Sequence, residues 1–209
     1  MARERLVWAI DCDDVIVPTA HPLIAAYNDR YGTQLDISAM YTDNDPAIWG
    51  TVTHQEAINR IAVLLREGVT ADIEPSRKMV RALKKLVALG DELHMVTGRQ
   101  AYLEEGTRVM ADRYLPNIFT SLEFTNFYLE EGSGLVSRTK GEVCEAIGAD
   151  VLVDDHIVHG SSVLQHGVEE VIVWGDFPWN RHQVLEQGMV RCLKISELFR
   201  ERDRILASR

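Results

Sequence analysis

The chain has no apolar stretch approaching the length of a membrane-spanning helix, no run of Lys or Arg, and few cysteines. The first absence excludes a spanning helix, so no membrane partner is expected. The apolar run near the N-terminus, beside Arg3, Glu4 and Arg5, is too short for a signal-peptide core. With no basic run and a net charge of −10, the chain is not suited to coat a nucleic acid polymer. A small anionic substrate stays open, because a metal and a few cations reverse the field locally. The three cysteines, Cys12, Cys144 and Cys192, are odd in number and lack metal-binding spacing. They fit a reducing compartment, and the cytoplasm is the expected location. No internal repeat or low-complexity segment stands out.

What remains is an ordinary globular composition, 46% hydrophobic and 26% charged over 209 residues. That is enough for one sizeable core and a small accessory lobe. Against this background the segment Leu6-Val-Trp-Ala-Ile-Asp11-Cys-Asp13-Asp14 is unusual. A strand-forming apolar run ends in three carboxylates within four positions. Residues i and i+2 of an extended segment share a face, so Asp11 and Asp13 are expected to converge. Converging carboxylates call for a cation, and Mg²⁺ is the natural hard one. Cys12 between them points away if the alternation holds. A strand followed by an acidic turn is the plain alternative.

Three further segments weigh against that alternative. His94-Met-Val-Thr97-Gly98-Arg99 is a second apolar run, ending in a hydroxyl, a flexible glycine and a cation. Such a junction is able to hold phosphate oxygens, or Thr97 simply caps a helix. Lys140 sits near the start of an amphipathic segment, where a cation opposes the helix dipole. Val151-Leu-Val-Asp154-Asp155 is a third apolar run ending in paired carboxylates.

Hydrophobic periodicity predicts strands over 6–10, 92–96, 118–124, 151–153 and 171–174. It predicts helices over 21–31, 53–67, 75–89, 101–114, 140–147, 161–166 and 196–206, and a short helix over 36–40. Residues 41–50, with Asn44-Asp45-Pro46, read as a polar loop. Alternating strands and helices imply a parallel sheet covered on both faces. The helical stretch after the first strand is too long for a simple crossover, which needs about 10–12 residues. It reads as a helical cap over the strand ends. The expected division is a core of residues 1–17 and 76–209 and a cap of residues 18–75.

Strand–Asp-x-Asp, strand–Thr-Gly-Arg, Lys, strand–Asp-Asp resembles the haloacid dehalogenase-like hydrolase superfamily, over Asp11 to Asp155. The flanking segments His21-Pro-Leu-Ile-Ala-Ala-Tyr-Asn28 and Val171-Ile-Val-Trp-Gly-Asp-Phe-Pro178-Trp179-Asn180-Arg181 resemble the 5′(3′)-deoxyribonucleotidase (C-type nucleotidase) family. The resemblance implies an α/β Rossmann-like parallel sheet with a small helical cap inserted after the first strand. It implies a Mg²⁺-dependent phosphomonoesterase with Asp11 as nucleophile and an aspartyl-phosphate intermediate. Asp13 would serve as acid and base, its pKa raised by its neighbour carboxylate. Thr97 would bond the phosphoryl group, with Gly98 beside it, and Lys140 would neutralise it. The metal would be held by Asp11, the Asp13 carbonyl and the Asp154/Asp155 pair, with Asp155 favoured as the direct ligand. Asp14 replaces the small residue often found there and reads as a helix cap or a support for the site.

Other assignments carry two readings each. Arg99 is either a substrate contact or a partner for an aspartate. Trp49 is a base-stacking residue or part of the cap core. Trp179 and Arg181 face the same choice between substrate and structure. His156 and His159 suggest zinc, but the helical spacing of zinc hydrolases is absent. The expected substrate is a small-molecule phosphomonoester, with a nucleoside (deoxyribonucleoside) monophosphate in the lead. A sugar phosphate or another small phosphometabolite is the alternative. A catalytically silent phosphate-binding regulatory protein is the alternative of another class. A homo-oligomer stays open.

Overall fold

The computed structural model describes residues 5–42, 45–130 and 132–209. Asn44 of the polar loop, and Arg3 and Glu4, lie outside the described residues. Six parallel strands form one sheet: β1 (Val7–Ile10), β2 (Glu92–Thr97), β3 (Ser121–Phe124), β4 (Val151–Asp154), β5 (Glu170–Trp174) and β6 (Met189–Cys192). Their spatial order is β3-β2-β1-β4-β5-β6. The order reverses between β1 and β4. In open α/β sheets that reversal leaves a crevice at the carboxyl ends of the strands.

Burial on both faces explains why these strands read as continuous apolar runs. Trp8 and Ile10 of β1, Leu93 and Met95 of β2, and Val151 and Val153 of β4 share one cluster with Leu83 and Leu198. Those last two belong to α3 (Arg77–Ala88) and α8 (Ile195–Ala207). Ala9, Val96 and Leu152, with the opposite parity, pack on Val143 and Val163. These come from α5 (Lys140–Ile147) and α6 (Ile157–Gln165). A buried ion pair ties the far end of the sheet to the last helix, with Arg202 Nη2 donating to Asp91 Oδ1 at 3.0 Å. Asp91 also accepts from the Leu6 N–H.

The chain between β1 and α3 builds a separate small core. Ile24 and Tyr27 of α1 (Ala20–Tyr31) meet Ala57 and Leu64 of α2 (His54–Arg66), with Met40 and Trp49 between. The Tyr27 hydroxyl donates to the Trp49 carbonyl at 2.8 Å. Thr53 caps α2 by accepting from the Glu56 N–H. This helical lobe touches the core through Gln55, whose amide donates to the Leu129 carbonyl, and through the Arg66–Glu130 ion pair.

Several boundaries differ from the sequence reading. The helix over 101–114 opens as a 3₁₀ turn, Ala101–Leu103, before α4 (Glu104–Tyr114). The strand over 118–124 is four residues long, because Ile118 is in the preceding turn. α6 begins four residues earlier than the periodicity suggests. Gly160 obscured that start, and it is glycine for packing: a Cβ there would lie 2.9 Å from Val171. β6 and the short α7 (Pro178–Arg181) have no counterpart in the hydrophobic periodicity. β6 is a short edge strand whose Arg191 breaks the apolar run. Among the described residues no helix is long and apolar enough to cross a membrane.

Candidate active site

The crevice gathers the carboxyl ends of three strands and the start of one helix. β1 delivers Asp11, which is buried and whose N–H donates to the Val153 carbonyl of β4. β4 delivers Asp154 and Asp155, both buried. α5 delivers Lys140 from its first turn. That helix is capped by Thr139, which accepts from the Glu142 N–H while the Glu142 carboxylate accepts from the Thr139 N–H. Glu142 thus answers the N-terminal dipole while Lys140 turns to the carboxylates. Lys140 is 1% exposed, and its Nζ lies 2.7 Å from Asp11 Oδ1 and 2.6 Å from Asp154 Oδ2.

Oxygens of Asp11, Asp154 and Asp155 all lie within 4.8 Å of one another. Three buried carboxylates against one lysine leave an excess of negative charge, which a buried site relieves by taking up a cation or protons. The all-oxygen donor set suits a hard divalent ion such as Mg²⁺. The electrostatics carry the same strain. Burial, with Asp154 and Asp13 nearby, pushes Asp11 up to about 8 despite Lys140. Burial and the charges of Asp154 and Asp11 push Asp155 well above the carboxylate range. Burial would raise Asp154 too, but Lys140, His159 and the His156 N–H together outweigh it and the group lies below its usual value.

Asp13 does not share this cluster. The chain turns sharply after Cys12, whose carbonyl accepts from the N–H groups of Ile16 and Val17. Both oxygens of Asp13 are gripped by Arg99, with Nε donating to Oδ2 at 2.9 Å and Nη2 to Oδ1 at 2.8 Å. Burial raises Asp13, yet Arg99 outweighs it and holds the carboxyl below its ordinary value. The sequence expectation of a raised Asp13 is therefore corrected. The nearest counter-charge is a bidentate guanidinium rather than another carboxylate. Of the two roles weighed for Arg99, the structure shows the aspartate partner. Its remaining nitrogen donates to Thr107 Oγ1 at 2.9 Å.

Asp14 is the helix cap: its carboxylate accepts from the Ala20 N–H and the Thr19 hydroxyl, all at 3.2 Å. It adopts φ +55°, a left-handed conformation that Asp tolerates better than most residues. Thr97 is fully buried at the end of β2, and its hydroxyl accepts from the Arg99 N–H at 3.2 Å. Gly98 lines the cavity above. Cys12 is buried, and burial pushes its thiol far up.

Of the residues read as substrate contacts, Gly98, Arg99, Trp49 and Trp179 line the cavity and Arg181 does not. Trp179 is also tied to the site. Its indole N–H donates to Asp155 Oδ2 at 2.8 Å, and its ring stacks on Phe177 and His156. Arg181 is not at the cavity: it is exposed and pairs with Asp176 at 2.9 Å. Trp49 belongs to the small core of the helical lobe and also lines the cavity. Neither His156 nor His159 joins a metal-binding group among the described residues; their rings lie 5.9 Å apart.

One functional-looking residue escaped the sequence reading. Asn180 is fully buried, and its amide donates to the Asp155 carbonyl at 2.8 Å. Its own oxygen accepts from Arg191 of β6 at 2.7 Å. A buried Asn followed by an edge strand with a lone Arg is a signal only once the fold is known.

Above the carboxylates is a cavity of about 240 Å³. Its floor is Asp11, Asp13, Lys140 and Asp155, and its far walls come from α1 and α2.

No protein-family model matches the chain, and no curated protein matches it by sequence. Solved structures match it in fold. A haloacid dehalogenase-like family hydrolase from Streptococcus pneumoniae superposes with a TM-score of 0.67 at 10% identity, over 95% of this chain and 98% of the other. A protein from Haemophilus somnus described as a predicted phosphoglycolate phosphatase gives 0.64 at 10% identity, over 96% and 99%. A protein from Bacillus subtilis described as a haloacid dehalogenase-type hydrolase, bound to magnesium, gives 0.59 at 17%, over 94% and 98%. At such identities the likeness is one of fold. The fold is the haloacid dehalogenase-like one, and none of these structures points to the nucleotidase family in particular.

Proposed function

We propose that the protein is a phosphomonoesterase acting on a small phosphate ester through a covalent aspartyl-phosphate. The observation that carries this is Asp11 at the switch point of the sheet, 2.7 Å from a buried lysine and grouped with Asp154 and Asp155 beneath a cavity. In this reading an Asp11 oxygen attacks phosphorus as the bond to the leaving alcohol oxygen breaks. Lys140 neutralises the transferring group, and the Thr97 hydroxyl and nearby N–H groups hold its oxygens. Asp13 delivers a proton to the leaving oxygen and then takes one from the water that opens the acyl phosphate. The phosphoryl charge opposes ionisation of Asp13, so a bound ester moves it toward its acid form. Once it has given up that proton Asp13 is in the ionised form needed for the second half, and Arg99 stabilises that form.

Asp11, Asp154 and Asp155 would hold Mg²⁺, which supplies charge neutralisation to the phosphoryl oxygens when bound. The Bacillus subtilis neighbour, which is bound to magnesium, supports that choice of ion. The Haemophilus somnus neighbour, described as a phosphoglycolate phosphatase, supports the small-phosphometabolite alternative over a nucleotide. Residues 18–75 serve as the cap, with the rest of the chain as the core.

The test is phosphate release by purified protein with Mg²⁺ over a panel of monophosphates, beside Asp11→Asn. Turnover on at least one ester, abolished by Asp11→Asn with the fold retained by circular dichroism, is expected. Equal turnover by the variant would remove Asp11 as nucleophile.

A further inference from the structure

The cavity walls are unequal. The floor is ionic, but the far side is built from Leu23 and Ile24 of α1 and Ile58, Ile61 and Leu65 of α2, with Trp49 beside them. Such a surface gives a bound molecule dispersion and apolar burial but few hydrogen bonds.

The cations are also accounted for. Among the described residues the Lys and Arg side chains that line the cavity are Lys140 and Arg99. Lys140 is held between Asp11 and Asp154, and both terminal nitrogens of Arg99 are bonded, to Asp13 and Thr107. Neither is available to a second anionic group on the substrate. With these two committed, no lysine or arginine among the described wall residues is left to attract one. Most other polar groups are engaged; the Tyr102 hydroxyl, buried on the wall, has no hydrogen-bond partner, so the wall can answer one substrate hydroxyl but not several. The Gln100 amide donates to the Tyr128 carbonyl, and the Thr19 hydroxyl to Asp14. His156 lies against Trp179 and 3.6 Å from Asp155. His54, at the start of α2, and His159 are the further basic side chains on the wall.

We infer that the leaving alcohol of the substrate is uncharged and largely apolar, a compact alkyl or aryl alcohol rather than a polyhydroxylated sugar or a carboxylated alcohol. This rests on the phosphomonoesterase reading and names its substrate class. A sugar placed against these walls would leave hydroxyls without partners, and a buried hydroxyl without a partner is penalised. A carboxylate would meet apolar side chains and no free guanidinium or ammonium. The cavity lies below the range of about 300–1,000 Å³ usual for drug-sized ligands, so the alcohol is small.

The experiment compares kcat/KM for benzyl phosphate, glycerol phosphate, phosphoglycolate and a deoxynucleoside monophosphate, all at saturating Mg²⁺. All are esters of alkyl alcohols, which limits differences in leaving-group reactivity. Benzyl phosphate is expected to lead by about tenfold or more, the discrimination an apolar pocket achieves. Ile58→Lys, which puts an ammonium on a half-buried wall position, is expected to narrow or invert the ratio of benzyl phosphate to phosphoglycolate. A lead for phosphoglycolate in the unaltered protein would overturn the inference and point to His54 as its reader. A lead for glycerol phosphate or the nucleotide would overturn it as well. No turnover of any ester would instead fail the phosphomonoesterase reading itself.

Discussion

Replacing Arg99 with Met isolates the contact that holds Asp13. Met keeps much of the aliphatic bulk of the side chain and brings no charge. The variant loses both bonds of the guanidinium to Asp13 and the bond to Thr107. Removing one partner of a fully buried ion pair costs about 3–5 kcal/mol. The Asp13 side chain retains 35% exposure, so water recovers part of that loss. The lost hydrogen bond to Thr107 adds about 1 kcal/mol. The expected loss at neutral pH is about 2–4 kcal/mol. For a chain of this length that lowers Tm by roughly 4–16 °C.

The loss has a definite pH dependence. Asp13 titrates below its ordinary value in the folded protein because of Arg99. Its contribution to stability is therefore complete above the unfolded carboxyl pKa of about 3.9 and disappears as pH falls through the lowered folded value. In Arg99→Met the same carboxyl is desolvated without its partner, so its folded pKa rises and protonation relieves the strain. The gap between the two proteins should be widest near pH 7 and shrink from about pH 5 downward. Urea denaturation at stepped pH, with EDTA present to remove any metal linkage, measures it. A loss below about 0.5 kcal/mol at pH 7, the scale of an ordinary surface change, would refute the buried clamp. So would a loss that stayed constant as the carboxyl became protonated.

Asp13→Asn should lose far more turnover on an alkyl phosphate than on an activated aryl phosphate, whose leaving group needs no proton; equal losses in a phosphate-release assay would remove Asp13 as the acid. Exhaustive chelation should abolish activity and Mg²⁺ restore it, while Ca²⁺ binds and supports little turnover because its looser shell misplaces the reacting groups. The Mg²⁺-loaded protein should also melt higher than the stripped one in a thermal-shift measurement, and full activity after chelation would contradict the three-carboxylate site. Gly141→Ala would set a Cβ 2.5 Å from the Ser162 carbonyl oxygen and 2.3 Å from the His166 ring. The ring is free to swing but the backbone is not, so a loss of about 1–3 kcal/mol is expected by denaturant titration. Unchanged stability would show that α5 and α6 separate at no cost.

What was legible in the sequence was whatever local pattern encodes. Apolar runs that end in Asp11, Thr97 and Asp154 mark strands buried on both faces, and their order with the intervening helices specifies a parallel sheet. The long helical insertion after β1 was equally visible, since no crossover needs such length. Local pattern failed where tertiary contact chose the residue. Gly160 reads as a break but is a packing contact with Val171. Arg191 interrupts a strand because Asn180 needs it. Trp179 reads as an aromatic at the site and does line the cavity, but its indole N–H bond to Asp155 is set by the fold and is invisible in the sequence.

The charges show the same limit most sharply. Sequence proximity pairs Asp13 with Asp11, two positions away, and so predicts mutual repulsion and a raised pKa. The fold brings Arg99 across from the neighbouring strand end, 86 residues along the chain, and reverses the sign. A strand of period two does direct Asp11 and Asp13 to one side, but the turn at Cys12 begins before the second of them. The alternation that predicts convergence therefore stops one residue short of the carboxylate it was applied to. Spacing identifies which charged groups reach a shared crevice. Which of them become partners depends on where the chain leaves the sheet, and at this site that departure separates a nucleophile candidate paired with lysine from an acid–base candidate paired with arginine.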